Sequence, residues 1–270
     1  MTNLGYVLVG ASLIALSSSI VGVWLVLRKE SLRSDVVSHS VLPGIAIAFL
    51  VFQQKNLWLL LVGAFLTALF SLFSIDLLTK YTRLKKDTLL ALMLSFFFAC
   101  GLWLLVKIQE NKNSAKAGLE QFIFGKMASI LPQDIFFALS VLLIVVLINF
   151  IFRKWLFFTT FDKSFAQSIG LKPQIASAVV TFMSILTIVT GLQAVGVVMM
   201  SALLITPATI ALILEKKHLN KVFLWSVFFN ILVVLSGTIL SYFLPKTPTG
   251  AWIVVIASLL TFIIVIRKQF

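Results

Sequence analysis

The sequence predicts an all-helical, polytopic membrane protein of about eight to nine transmembrane helices, and three observations carry that prediction. Hydrophobic residues make up 60% of the chain and charged ones 11%, a balance that a soluble domain with a solvated surface does not show. The apolar residues gather in runs of about 20, the length a helix needs to cross roughly 30 Å of hydrocarbon. No period-two alternation passes through these runs, so each segment would satisfy its own backbone groups as a helix rather than in a closed barrel. Runs and short connections account for the chain, and residues 1–270 read as a single transmembrane domain.

In order, the predicted spans cover 4–27, 35–53, 57–79, 88–107, 134–152, 174–192, 195–214, 221–244 and 250–266. The first is too long for the apolar core of a signal peptide and is followed by no small-residue cleavage site, so it is expected to remain as a span. Its Ala11, Ala15 and Ser19, at four-residue spacing, suit close helix packing. Pro43–Gly44 lie in the second span, Gly191 near the end of the sixth, and Gly196 and Pro207 in the seventh. In a simple anchor such residues only weaken helices; in a transporter they permit broken helices and close approach around a pathway. Pro43, Gly44, Gly196 and Pro207 are therefore candidates for gating or helix breaks. Asp87 and Asp134 stand just before apolar runs and read as N-terminal caps, and Asp76, four residues before Lys80, reads as half of an ion pair.

The formal charge of +13 does not point to nucleic acid, because Lys and Arg sit in short clusters between apolar runs. Arg28, Lys29 and Arg33 follow the first span, Lys80, Arg83, Lys85 and Lys86 the third, and Lys216, Lys217 and Lys221 the seventh. The alternate connections hold Lys55, then no charge in Gln193–Ala194, then Lys246. This asymmetry predicts a cell-membrane protein with its N-terminus outside and Arg267–Lys268 in the cytoplasm; the long connection from Lys107 to Lys126 runs against it. Cys100, the one cysteine, allows neither an internal disulfide nor a thiolate metal cage within one chain.

Enzyme motifs are missing. Gly118 to Gly125–Lys126 has the wrong spacing for a phosphate loop, with Met127 where a magnesium-binding hydroxyl belongs, so this chain is not expected to hydrolyse ATP by itself. The informative segment is Ser34 to Gly44, in which Asp35 and His39 are four apart and share one helix face. A carboxylate within a membrane helix costs about 3 kcal/mol unless it meets a polar cavity or a cation. Carboxylate with imidazole suits manganese, iron or zinc. Two donors are too few for such an ion, and a symmetric dimer would supply up to four, with water completing the shell. From spacing alone, Asp35 as a helix cap and His39 as a packed core residue explain the same pattern. His218, in Glu215-Lys216-Lys217-His218, reads as part of a solvated basic turn.

The stretch from Thr159 to Pro173 begins with a capping signal, spaces Phe161, Phe165 and Ile169 four apart, and ends in Gly170 and Pro173. It predicts a short amphipathic cytoplasmic helix at about 160–171, lying on lipid headgroups or seated in a groove of a soluble partner.

At Ser34–Gly44, Lys85–Thr88, Phe161–Leu171 and Val195–Ala208 the chain resembles the ABC-3 permeases, the membrane subunits of manganese, zinc and iron importers driven by ATP-binding-cassette subunits. The resemblance implies a fold related to the cobalamin and siderophore importers and a homodimer, or a heterodimer with a similar permease. It implies two cytoplasmic ATPase subunits and an extracytoplasmic metal-binding protein as partners. It places Asp35 and His39 on the path of a transported divalent ion, with no permanently bound cofactor. It makes Phe161, Asp162, Phe165, Ala166, Ile169, Gly170 and Leu171 the helix that couples to the ATPase. Thr206 before Pro207 and Ser40 after His39 depart from the expected pattern without removing a ligand. The competing reading is a stand-alone secondary cation transporter or channel, which would need more intramembrane acids than Asp35. A structural scaffold would need neither a Pro- and Gly-broken interior nor a capped cytoplasmic helix.

Overall fold

In the computed structural model, which describes residues 3–54, 56–110, 130, 132–244 and 247–269, every regular element is an α-helix. In chain order these are α1 (Asn3–Leu27), α2 (Ser31–Phe52), α3 (Leu57–Tyr81), α4 (Lys86–Glu110), α5 (Pro132–Phe161), α6 (Lys163–Ser168), α7 (Pro173–Val195), α8 (Val197–Leu214), α9 (Leu219–Phe243) and α10 (Thr249–Gln269). Each predicted run corresponds to one helix, except that the run 195–214 begins at the last residue of α7 and crosses the break at Gly196 before α8. Among the described residues 8 helices are long and apolar enough to cross a membrane, and α8, apolar over Met199–Leu214, is shorter. The chain is a multi-pass membrane protein. Most of the connection from Lys107 to Lys126 lies outside the described residues, as do Lys55 and Lys246.

Local chemistry sets the helix ends. Asn56 caps α3 by accepting the Trp58 N–H at 3.1 Å, and Pro173 opens α7, where its missing N–H costs nothing. After α1, Lys29 takes the left-handed conformation at φ 57°, Lys29 N–H donates to the Val26 carbonyl at 3.0 Å and Glu30 N–H to that of Leu25 at 2.8 Å. This closes a Schellman turn. Glu30 is also the N-cap residue of α2, so the two helices are joined without slack.

The packing corrects several of these expectations. Asp87 and Asp134 lie within the first turns of α4 and α5, because Lys86 and Pro132 are already helical, and both favour the helix dipole there. Asp76 pairs with Arg33 of α2 at 3.4 Å rather than with Lys80, since α3 packs along α2 and brings a cross-helix partner. α5 runs on to Phe161 through a stretch read as connection, because Leu156 and Thr159 continue its buried side. Phe161 thus ends α5 and does not belong to the short helix that follows. Of Pro43, Gly44, Gly196 and Pro207, only Gly196 breaks a helix. Its φ of 94° cannot continue α7, whereas α2 runs through Pro43 and Gly44 and α8 through Pro207, each proline removing one backbone bond.

α1 and α2 are the most enclosed spans, with 67% of the span buried, against 17% for α5 and α10 at the periphery. α1 packs on α5, α7, α8 and α9, while α2 packs on α3 and α4 and reaches the first group through α7 and α8. α2 and α3 approach so closely that a Cβ on Gly44 would sit 2.3 Å from the Gly63 carbonyl oxygen. The basic clusters gather at one end, where Arg28 meets α5 and α7, Arg33 meets α3, Arg153 of α5 meets Asn220 of α9, and Lys268 of α10 reaches the Ile213 carbonyl of α8.

Candidate metal path and coupling helix

α2 starts four residues before Asp35, with Glu30 at the N-cap position, so Asp35 stands in the second turn. It does not cap the helix. Asp35 and His39 lie one turn apart on the same side, both half-buried, among hydroxyls that are already engaged. Ser38 donates to the Ser34 carbonyl at 3.0 Å, Ser40 to that of Val37 at 2.9 Å, and Ser71 of α3 to Ser40 at 3.0 Å. The His39 ring meets Phe98 of α4 edge to face at 4.8 Å, and its buried Nδ1 has no hydrogen-bond partner. A buried imidazole nitrogen is ordinarily satisfied, so this one is open to a ligand or an incoming group. Among the described residues no Lys or Arg pairs with Asp35 and no group of three or more His, Cys, Asp or Glu converges. Asp35 and His39 thus present, from one side of α2, a carboxylate and an imidazole, the donor types that suit a borderline cation.

At the basic end, α6 has a strong local definition and almost no burial. Asp162 caps it by accepting the Phe165 N–H at 2.9 Å. Gly170, at φ 80°, closes a Schellman turn in which Gly170 N–H donates to the Gln167 carbonyl at 3.0 Å and Leu171 N–H to that of Ala166 at 2.8 Å. Ala166 is fully buried, while Phe161, Phe165 and Ile169 are 57%, 46% and 50% exposed. Phe165 leans on Phe158 of α5 with ring centroids 5.4 Å apart. The helix is held by α5 and α7 and turns an aromatic stripe outward.

Two polar clusters were not legible as sites in the sequence. In the first, Arg28 donates from Nη1 to the Thr159 and Thr160 hydroxyls at 3.4 Å each, and from Nη2 to Ser177 at 2.5 Å. Its Nε stands 3.8 Å from a Glu30 carboxylate oxygen. Burial lowers the Arg28 guanidinium from its ordinary pKa, and Glu30 opposes that shift. The acidic Glu30 beside Arg28 and Lys29 was the available signal. In the second, Asn230 of α9 donates from Nδ2 to the Ala15 carbonyl at 3.0 Å, to the Ser18 and Ser19 hydroxyls at 2.9 Å and to the Leu203 carbonyl at 3.4 Å. Leu203 is four before Pro207, so Asn230 covers the carbonyl that proline cannot serve. Ala15 and Ser19 of the small-residue stripe supply acceptors to this cluster, and Ala11 is fully buried. His218 is exposed in its turn, where Glu215 accepts the Lys217 and His218 N–H groups, which hold the Glu215 carboxyl below its usual range.

The chain is 34% identical over 258 residues to the manganese transport system membrane protein MntC of Bacillus subtilis, covering 96% of this chain and spanning 59% of that relative's length. It is 35% identical over 250 residues to the zinc transport system membrane protein TroC of Treponema pallidum, covering 93% of this chain and 84% of that protein. Among solved structures, PsaBC from Streptococcus pneumoniae in complex with Fab superposes with a TM-score of 0.86 at 27% identity, over 98% of this chain and 91% of that one. With the family model matching residues 1–268, the chain belongs to the ABC 3 transport family.

Proposed function

We propose that this protein is the membrane-spanning permease subunit of an ATP-binding-cassette importer for divalent transition-metal ions, manganese, zinc or iron. The observation that carries the reading is the pair on α2: Asp35 in the second turn, where it caps nothing, and His39 one turn on with a buried Nδ1 that has no partner. The relatives named for manganese and zinc transport support the choice of cargo. The ion is substrate, held in passing. Two copies of the permease, or one with a similar partner, would bring two carboxylates and two imidazoles to a shared axis. The exposed stripe of Phe161 at the end of α5, Phe165 of capped α6 and Ile169 just after it supports docking of an ATPase on each copy, with an extracytoplasmic binding protein delivering the metal. Pro43 and Gly196 would act as gating points, and the basic end would face the cytoplasm.

The test is uptake of radioactive manganese and zinc by cells expressing the permease with its partners, normalised to permease in the membrane. Asp35→Asn keeps shape and hydrogen bonding but removes the anionic donor, and it should abolish uptake. Wild-type uptake of both ions by this variant would remove Asp35 from the path.

A further inference from the structure

Any importer in which hydrolysis on one subunit moves a cargo held by another needs a physical connection between the docking helix and the cargo helix. In this fold α6 packs on α5 and α7, and α7 in turn packs on α2. Arg28 adds a polar link along this route. It grips Thr159 and Thr160, three and two residues before Asp162, and Ser177 near the start of α7, so one guanidinium holds both stretches of chain that flank α6. On its other side stands Glu30, the N-cap residue of α2. Arg28 and Glu30 are themselves locked by the Schellman turn between α1 and α2, so a displacement passed to Arg28 reaches α2 without being absorbed in a flexible loop.

We propose that Arg28 and Glu30 are positioning residues that transmit movement of the α6 region to the helix carrying Asp35 and His39. Three features of the cluster favour a moving link over a static clasp. The pair is buried, its side chains 6% and 11% exposed, yet its 3.8 Å separation is beyond hydrogen-bond reach. Arg28 Nε, Glu30 Oε2 and Arg33 Nε are all buried without hydrogen-bond partners. A small cavity beside them is lined by Glu30, Arg33, Ser34, Thr181 and Ser184, from α2, the turn before it and α7. Charges in such surroundings interact steeply with distance, so a small shift of α2 against α7 changes the energy of the pair and selects between discrete packings. Arg33 faces Glu30 from α2 and is itself tied to Asp76 of α3, which extends the chain of alternating charge across α2.

This inference rests on the importer reading, and the experiment separates the two. The permease is reconstituted with its ATPase subunits and binding protein in proteoliposomes, and manganese uptake and ATP hydrolysis are measured together. Absence of ATP-dependent uptake by the wild type of manganese, and likewise of zinc and iron, overturns the importer reading and the linkage with it. Given wild-type uptake, Glu30→Gln and Arg28→Gln should retain the ATPase on co-purification and hydrolyse ATP, while manganese carried per ATP falls at least tenfold. The charge-exchanged Arg28→Glu/Glu30→Arg pair should recover part of that ratio. An unchanged ratio, whether both rates fall together or neither does, overturns the linkage. Should the charge variants fail to reach the membrane, Thr160→Val and Ser177→Ala decide it: each removes one hydroxyl that Arg28 holds, and a ratio equal to wild type in both overturns the proposal, while a two- to fivefold fall supports it.

Discussion

α2 and α8 each carry one internal proline, and the molecule treats the two helices in opposite ways. At Pro207 the carbonyl released on Leu203 receives an amide hydrogen from Asn230, inside a fully enclosed cluster of neutral groups contributed by α1, α8 and α9. At Pro43 the carbonyl released belongs to His39, the residue whose imidazole Nδ1 is also unpartnered, on a half-buried face that carries Asp35. The neutral cluster ties its helices together through the Asn230 amide hydrogens, although its Oδ1, like His39 Nδ1, is buried without a partner. A half-buried carboxylate and imidazole within a span, by contrast, are costly unless they meet a polar cavity, a partner or a cation.

The comparison breaks most sharply at His39. Replacing it by Gln retains polarity but loses the nitrogen donor, and uptake of manganese and zinc per permease should fall at least tenfold, with thermal stability in detergent close to wild type. Loss of stability with retained uptake would make α2 a packing helix of the same kind as α8. Next in size is Phe165→Asp, which sets a charge in the exposed stripe of α6: the ATPase should no longer co-purify although the permease reaches the membrane at wild-type level. Gly44→Ala comes third, since the new Cβ meets backbone of α3 that has no rotamer to yield; a cost of about 1–3 kcal/mol is expected in unfolding measurements. Asn230→Leu should lower stability by about 1–2 kcal/mol while uptake per folded permease is kept, the reverse of His39→Gln. Smallest is Pro207→Ala, with an effect of about 1 kcal/mol or less, because the restored N–H only competes with Asn230 for one carbonyl. A large loss of uptake in either of the last two variants would erase the distinction between the helices.

The sequence by itself determined the helical runs, their order and the crowding of basic residues between alternate runs, since crossing lipid requires about 20 apolar residues whoever the neighbours are. It determined the turn chemistry of α6 as well, because Asp162 and Gly170 act on backbone within four residues of themselves. It also determined that Asp35 and His39 share a face, which follows from helical spacing. Tertiary structure alone decided what those residues touch. Asp35 is no cap because α2 begins at Ser31, a start set by the turn that closes α1. Asp76 found Arg33 instead of Lys80, Asn230 found the carbonyl left by Pro207, and Arg28 found hydroxyls more than a hundred residues away. Such partnerships depend on which helices lie side by side and in what rotation. Apolar helices that are hydrophobic on every side, as these are, carry little record of that choice in their periodicity; close packing of small residues and a few buried polar contacts make it.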